Sequence, residues 1–348
     1  MFDLTALREA ADFVHQHVPP TPQLAWPLLA ERTGCQVWVK HENHAPTGAF
    51  KVRGGLVYVR SLLDSGEVPA GLVTATRGNH GQSMALAARQ AGLPLVIVVP
   101  EGNSLEKNAA MRALGAELIE HGVDFDVARE HAAQLAQGRG YLMVPSFHAQ
   151  LVRGVATYAL ELFEAVTGLD TVYVPIGMGS GICGLIQARN LLGLRTEIVG
   201  VVSSAADAYA RSFESGRIVT TASANTFADG MACRVPKPRG LRPGARARGA
   251  DRAGERRRDR PGHAPVPRNH PQHRRRRRCC GVGGAAAGAR TPGRQACGSG
   301  IERRESGPGR LSPQLATKFG GDTSSTVCCL RGARISASPE TTSSSFWL

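Results

Sequence analysis

The feature that most constrains this chain is an alternation repeated through its first two thirds. Short apolar runs of strand length are each followed by a longer stretch with helical spacing. Residues 37–40, 71–75, 94–100, 117–120, 171–175 and 197–202 read as strands, and residues 5–16, 80–92, 105–114, 125–137 and 182–192 as helices. Alternation of this kind predicts parallel strands joined by crossover helices, an α/β architecture.

Three segments carry the chemistry. Lys51 stands behind a Thr47-Gly48 turn, between apolar Phe50 and Val52, where a helix begins. An amine in a desolvated position is a usable nucleophile and base, although a lone lysine on such a helix is ordinarily a surface residue. The second segment, Thr74 to Gln82, follows an apolar strand and opens a helix. Its polar, glycine-containing loop offers backbone amides to an anion. An ordinary turn with Asn79 as helix cap leaves His80 and Gln82 unexplained. The third segment runs from a buried strand through Gly177-Met178-Gly179-Ser180-Gly181 into a helix. Glycines let backbone approach a phosphate, and the helix start favours its charge. It is not the dinucleotide fingerprint, because no acidic residue follows at the ribose distance. An imine-forming amine, an anion loop and a phosphate turn together describe pyridoxal phosphate.

At these motifs the chain resembles the serine/threonine dehydratases, which are fold type II (tryptophan-synthase-like) pyridoxal-phosphate enzymes. The matching stretches are Thr47 to Gly54, Gly78 to Gln82, Gly177 to Gly181 and Ala228 to Ala232. The resemblance runs through residues 1–236. It implies a two-domain parallel-sheet enzyme, with a small domain of about residues 50–150 inserted in a larger one and the cofactor between them. It also implies that Lys51 holds the cofactor as a Schiff base and removes the α-proton. Asn79 would contact the ring hydroxyl. Thr76, Arg77, Gly78, Asn79 and His80 would bind the substrate, and Gly177, Met178, Gly179, Ser180 and Gly181 the phosphate. The family's loop usually begins with Ser where Thr76 stands, and its phosphate turn often has glycine where Met178 and Ser180 stand. The reaction implied is β-elimination from threonine or serine to a 2-keto acid and ammonia. Racemases of this fold use a serine acid/base at the position of Arg77, and arginine is a poor proton shuttle. Arginine there also suits a second acidic group, which makes 3-hydroxyaspartate an alternative substrate.

Beyond residue 236 the composition changes. Residues 237–348 carry 24 Lys+Arg and 7 Asp+Glu, a net of +17, whereas residues 1–236 carry 18 and 21, a net of −3. The basic balance of the whole chain, +14, therefore belongs to the tail. Only 13 of the tail's 112 residues are Val, Ile, Leu, Met, Phe, Trp or Tyr, a composition expected to stay disordered. One reading makes Arg274–Arg278 part of a nucleic-acid-binding arm, on an inactive product that binds without sequence preference. A second, a zinc module, finds no C-x-x-C pair among the tail cysteines. The third is a change of reading frame near residues 236–239. Reverse-translated from His270 and read one base later, the chain permits T-H-N-I-A-D-G-A-G-A-A-A-L, against the family's T-H-N-x-A-E-G-A-G-A-A-A-L. The same offset over residues 296–308 permits a strand ending in S-G-G-N, whose serine meets the pyridine nitrogen in the family. Over residues 251–263 it permits I-V-x-V-S-D-D-E-I-A. One offset serving three segments in order favours the frame change, and such a chain is expected to fold poorly or work badly.

No apolar stretch is long enough to span a membrane, and the N-terminus lacks the basic-then-apolar pattern of a secretory signal. Scattered Cys35, Cys183 and Cys233 suggest no disulfide framework, so a cytoplasmic location is expected. The partners expected are a small amino-acid substrate and further copies of the chain in a homo-oligomer, with no specific nucleic acid. Asp207 and Asp229 supply no metal-ligand set, and no metal is expected.

Overall fold

The computed structural model describes residues 2–226 and 228–236, together with the backbone of residues 326–331. In chain order the elements begin with α1 (Leu4–His15), β1 (Gln23–Ala25), α2 (Pro27–Thr33), β2 (Gln36–His41) and α3 (Lys51–Asp64). Then follow β3 (Leu72–Ala75), α4 (Asn79–Gln90), β4 (Leu95–Val99), α5 (Leu105–Ala113), β5 (Glu117–Glu120), α6 (Phe125–Arg139), β6 (Leu142–Met143) and α7 (Ala149–Ala165). The series closes with β7 (Thr171–Pro175), α8 (Ser180–Leu191), β8 (Glu197–Val201), α9 (Ala208–Ser215) and β9 (Thr326–Arg331). Local chemistry sets several helix ends. The Asp3 carboxylate accepts from the Ala6 amide at 2.8 Å to open α1, and Asp124 accepts from Asp126 and Val127 to open α6. Pro27 starts α2, and Gly34, at φ 71°, ends it.

The strands form two sheets. The smaller, in the order β5-β4-β3-β6, is parallel throughout. Its side chains alternate between two faces. Val73, Ala75, Val96 and Val98 meet Ala128, Ala132 and Ala136 of α6. Leu72, Leu95, Ile97 and Val99 join the core formed with α3 and α4. The larger sheet has the order β1-β2-β9-β7-β8. Only β7 and β8 pair in parallel; β1 with β2, and β9 with both its neighbours, run antiparallel. The expectation of parallel pairing thus fails at β1 and β2. The link from Trp26 to Cys35 is too short for the crossover a parallel pair needs. Strand β9 also departs from the composition of the tail, which gave no sign of it. The remaining tail expectations, the basic arm and the disorder, lie outside the described residues.

Helix α3 is held by close backbone crossings. A Cβ on Gly54 would sit 2.8 Å from the Leu151 carbonyl oxygen, one on Gly154 would sit 2.2 Å from the Arg53 carbonyl oxygen, and one on Gly55 would sit 2.4 Å from Ser83 Oγ. Glycine at these three points lets α3 lie directly on α7 and α4. Beneath the crossing is a buried ionic cluster. Arg53 donates to Glu42 (2.9 and 3.1 Å), to Glu161 and to Thr157 (3.2 Å), and Lys40 donates to Glu161 and to the Thr21 carbonyl (2.8 Å). Arg53, Lys40 and Glu42 are fully buried. Burial alone would raise the Glu161 carboxyl, but Arg53 and Lys40 outweigh it and hold the group low. The first turn of α3 is thereby fixed to β2 and α7.

Candidate active site

Lys51 is the first residue of α3. The Ser83 hydroxyl donates to its carbonyl at 2.5 Å, and its Nζ lies 5.5 Å from the centre of the Phe50 ring. The ammonium donates to Ser180 Oγ at 3.4 Å, which brings residue 51 to the glycine turn 129 positions away. One cavity is lined by Lys51, Asn79, Gly177, Met178, Gly179, Ser180 and Gly181. A second, of about 80 Å³, is lined by Lys51, Thr76, Arg77, Gly78, Asn79, His80, Gly177 and Met178. The structure therefore gathers every residue picked from sequence around one lysine. A cleft of about 1480 Å³ continues outward past Ala75, Arg77 and Met178.

The glycine turn is shaped for close approach. A Cβ on Gly177 would lie 2.0 Å from the Gly230 carbonyl oxygen, and Gly179 adopts φ 93°. Tyr209 donates to the Met178 carbonyl (3.1 Å) and Tyr158 to that of Gly181 (3.3 Å), which fixes the turn from behind. Helix α8 starts at Ser180, two residues earlier than the sequence suggested, and its N-cap Gly179 makes no side-chain capping bond. The amides of its first turn have no acceptor within the helix, and its dipole favours an anion there. That donor set, beside an amine and an Asn side chain, fits pyridoxal phosphate.

In the anion loop the helix cap is Gly78, not Asn79, with a φ of 157° and ψ of −85° that only glycine adopts comfortably. The Thr76 oxygen accepts from the amides of Gly78 (2.9 Å) and Gly81 (3.2 Å). Its acceptor capacity thus goes into the shape of the loop. His80 is 9% exposed and its Nε2 has no hydrogen-bond partner. Burial first, and the charge of Lys51 second, push its pKa down to about 3, so the ring is neutral at ordinary pH. Burial raises the Cys183 thiol to about 11, in keeping with a packing role.

Sequence reasoning missed Lys107, Phe125, Ser146, Gly230 and Cys233, which also line the second cavity. None stands in a recognisable motif except Gly230, whose Ala228–Ala232 stretch was matched without a role. Among the described residues, no three His, Cys, Asp or Glu are grouped to hold a metal ion, and no helix is long and apolar enough to cross a membrane.

A lysine between a glycine-rich turn at a helix start and an Asn-containing loop at another, on this α/β frame, is the arrangement that a pyridoxal-phosphate site needs. Residues 14–253 match the family of pyridoxal-phosphate dependent enzymes, and the chain belongs to that family. It is 30% identical over 230 residues to the L-threonine dehydratase biosynthetic IlvA of Haemophilus influenzae, covering 66% of this chain and 45% of that protein. It is 34% identical over 223 residues to the L-threo-3-hydroxyaspartate ammonia-lyase of Saccharomyces cerevisiae, covering 64% and 68%. Among solved structures it resembles the threonine deaminase of T.th., with a TM-score of 0.64 and 32% identity over 69% of this chain and 78% of that one. The chain spans less than half the length of the IlvA relatives it matches.

Proposed function

We propose that residues 1–236 carry the catalytic apparatus of a pyridoxal-phosphate dependent ammonia-lyase for β-hydroxy amino acids, with threonine as the leading substrate and serine next. The observation that carries this reading is the convergence of Lys51, the loop 76–80 and the turn 177–181 on one site. The activities named for the relatives support it. When bound, the cofactor supplies an electron sink that makes the α-C–H of the amino acid acidic. The chain does the rest. The first turn of α8 holds the phosphate through backbone amides. Asn79 reaches the ring, and the loop 76–80 grips the substrate carboxylate and so orients its α-carbon. Lys51 Nζ takes the α-proton while the β-hydroxyl departs, and the two leave together as one water. Hydrolysis then yields a 2-keto acid and ammonia. Arginine is a poor proton shuttle, so Arg77 supplies no second acid/base for racemisation.

Arg77 also favours a second substrate, 3-hydroxyaspartate. It lines both the inner cavity and the outer cleft, and a guanidinium pairs with a carboxylate through two hydrogen bonds. The experiment is ammonia release from threonine, serine and 3-hydroxyaspartate, by this chain and by a version with the frame restored from codon 237. Release from threonine that is lost in Lys51→Ala supports the main reading. Turnover confined to 3-hydroxyaspartate and lost in Arg77→Ala supports the second. No ammonia from either chain with the cofactor bound refutes both.

A further inference from the structure

Lys107 joins the two halves of the site in a way the lyase reading does not use. It lies in the first turn of α5, on the small-sheet side, where its amide donates to Ser104 Oγ at 3.4 Å. Its stem covers Gly78: a Cβ there would meet Lys107 Cδ at 2.4 Å. Its ammonium donates to Asp229 Oδ2 at 3.1 Å. Asp229 begins a strap, residues 229–234, whose Gly230 carbonyl abuts Gly177 in the phosphate turn. The far end of the strap returns to the small-sheet side, where Arg234 donates to Asp124 at 2.8 Å, at the cap of α6. One strap therefore touches the phosphate turn at Gly230 and is tied by ion pairs to the small-sheet side at both ends.

We propose that Lys107 and Asp229 are positioning residues, forming a clasp that holds the loop 76–80 in its binding shape and docks it against the strap. This deepens the lyase reading and rests on it only in taking the loop 76–80 as the grip for the substrate carboxylate. The stem of Lys107 keeps Gly78 in its glycine-only conformation, and the ion pair keeps the stem in place. Both partners are partly exposed (19% and 37%), so the pair is open to screening by salt.

Amide hydrogen exchange of the full chain, without cofactor, tests the clasp. Lys107→Met keeps the stem and removes the charge, and Asp229→Asn keeps the shape and removes the partner. Each is expected to speed exchange across residues 76–82 and 229–234 by about two- to fivefold. The double variant should not exceed Lys107→Met, because Asp229→Asn breaks an interaction that Lys107→Met has already removed. In a chain that turns over, Lys107→Met should raise KM by a similar factor. Unchanged exchange in both singles, a double effect equal to the product of the singles, or a fall in kcat at constant KM would overturn the clasp. Should Lys107→Met fail to fold, Asp229→Asn and Arg234→Gln decide by the same exchange readout. Failure of the wild-type chain to bind cofactor or release ammonia would instead count against the lyase reading and leave the exchange result standing.

Discussion

At Gly177 no side chain fits, since even a methyl group would fall 2.0 Å from the Gly230 oxygen. Gly177→Ala must push the strap away from the phosphate turn. Overpacking of this kind costs about 1–3 kcal/mol, so cofactor affinity, read by titrating absorbance, should fall by about tenfold or more. His80 makes a prediction about acid. The unfolded chain protonates this ring near 6.5, and the folded chain only near 3. Between those values the unfolded state binds the extra proton, so stability is present above 6.5 and is lost as pH falls towards 3. Urea unfolding at pH 7 and pH 4.5 should show that loss, and His80→Gln should lessen it. An equal loss in the variant would contradict the burial argument. The identity of these residues was legible in the sequence because phosphate turns and anion loops need particular residue types at fixed spacing. Lys107 was not, because its role depends on a 122-residue separation from Asp229 that no local pattern encodes.

At the scale of elements, α3 is the organising helix, and its stability is expected to rest on Arg53. Removing one partner from a buried ionic cluster leaves charges uncompensated and costs about 3–5 kcal/mol. Arg53→Met should show a loss of this size in denaturant unfolding. Arg53→Lys should not recover it, because a single ammonium cannot serve Glu42, Glu161 and Thr157 as the guanidinium does. A variant that keeps wild-type stability would remove the cluster from the account. Most strands and helices fell within two residues of their expected ends, since β3, β4 and β7 are apolar runs closed by turn residues. Helix α7 escaped notice although it has a polar stripe at helical spacing, Gln150, Arg153, Thr157, Glu161 and Glu164: Thr157 and Glu161 face the buried Arg53 and not solvent, so the stripe does not mark an outer face. Arg53 escaped as well: a charged residue on a helix normally signals solvent, and only the tertiary packing of α7 and β2 encloses it.

At the scale of the whole molecule, two unlike segments share one chain. Threonine dehydratase and ammonia-lyase relatives align over 213–237 residues and leave about a third of this chain unmatched, while the charge changes from −3 to +17 at residue 237. A frame change predicts that the nucleotide sequence across codons 234–242 holds a one-base offset from the relatives, and that the restored chain deaminates threonine at least about tenfold faster. RNA retention by the present chain should be indifferent to sequence and should collapse between about 50 and 200 mM salt. A normal frame, or sequence-selective binding, would make the tail a functional arm.

One lysine out of five is assigned the cofactor. Lys40 is enclosed in the ionic cluster, Lys107 is paired with Asp229, and Lys237 and Lys318 lie outside the described residues. The decisive measurement is borohydride reduction of the full chain after incubation with pyridoxal phosphate, followed by peptide mass mapping. The expected result is a phosphopyridoxyl adduct concentrated on Lys51 and lost in Lys51→Ala. Adducts spread evenly over the five lysines, or none at Lys51, would contradict the assignment.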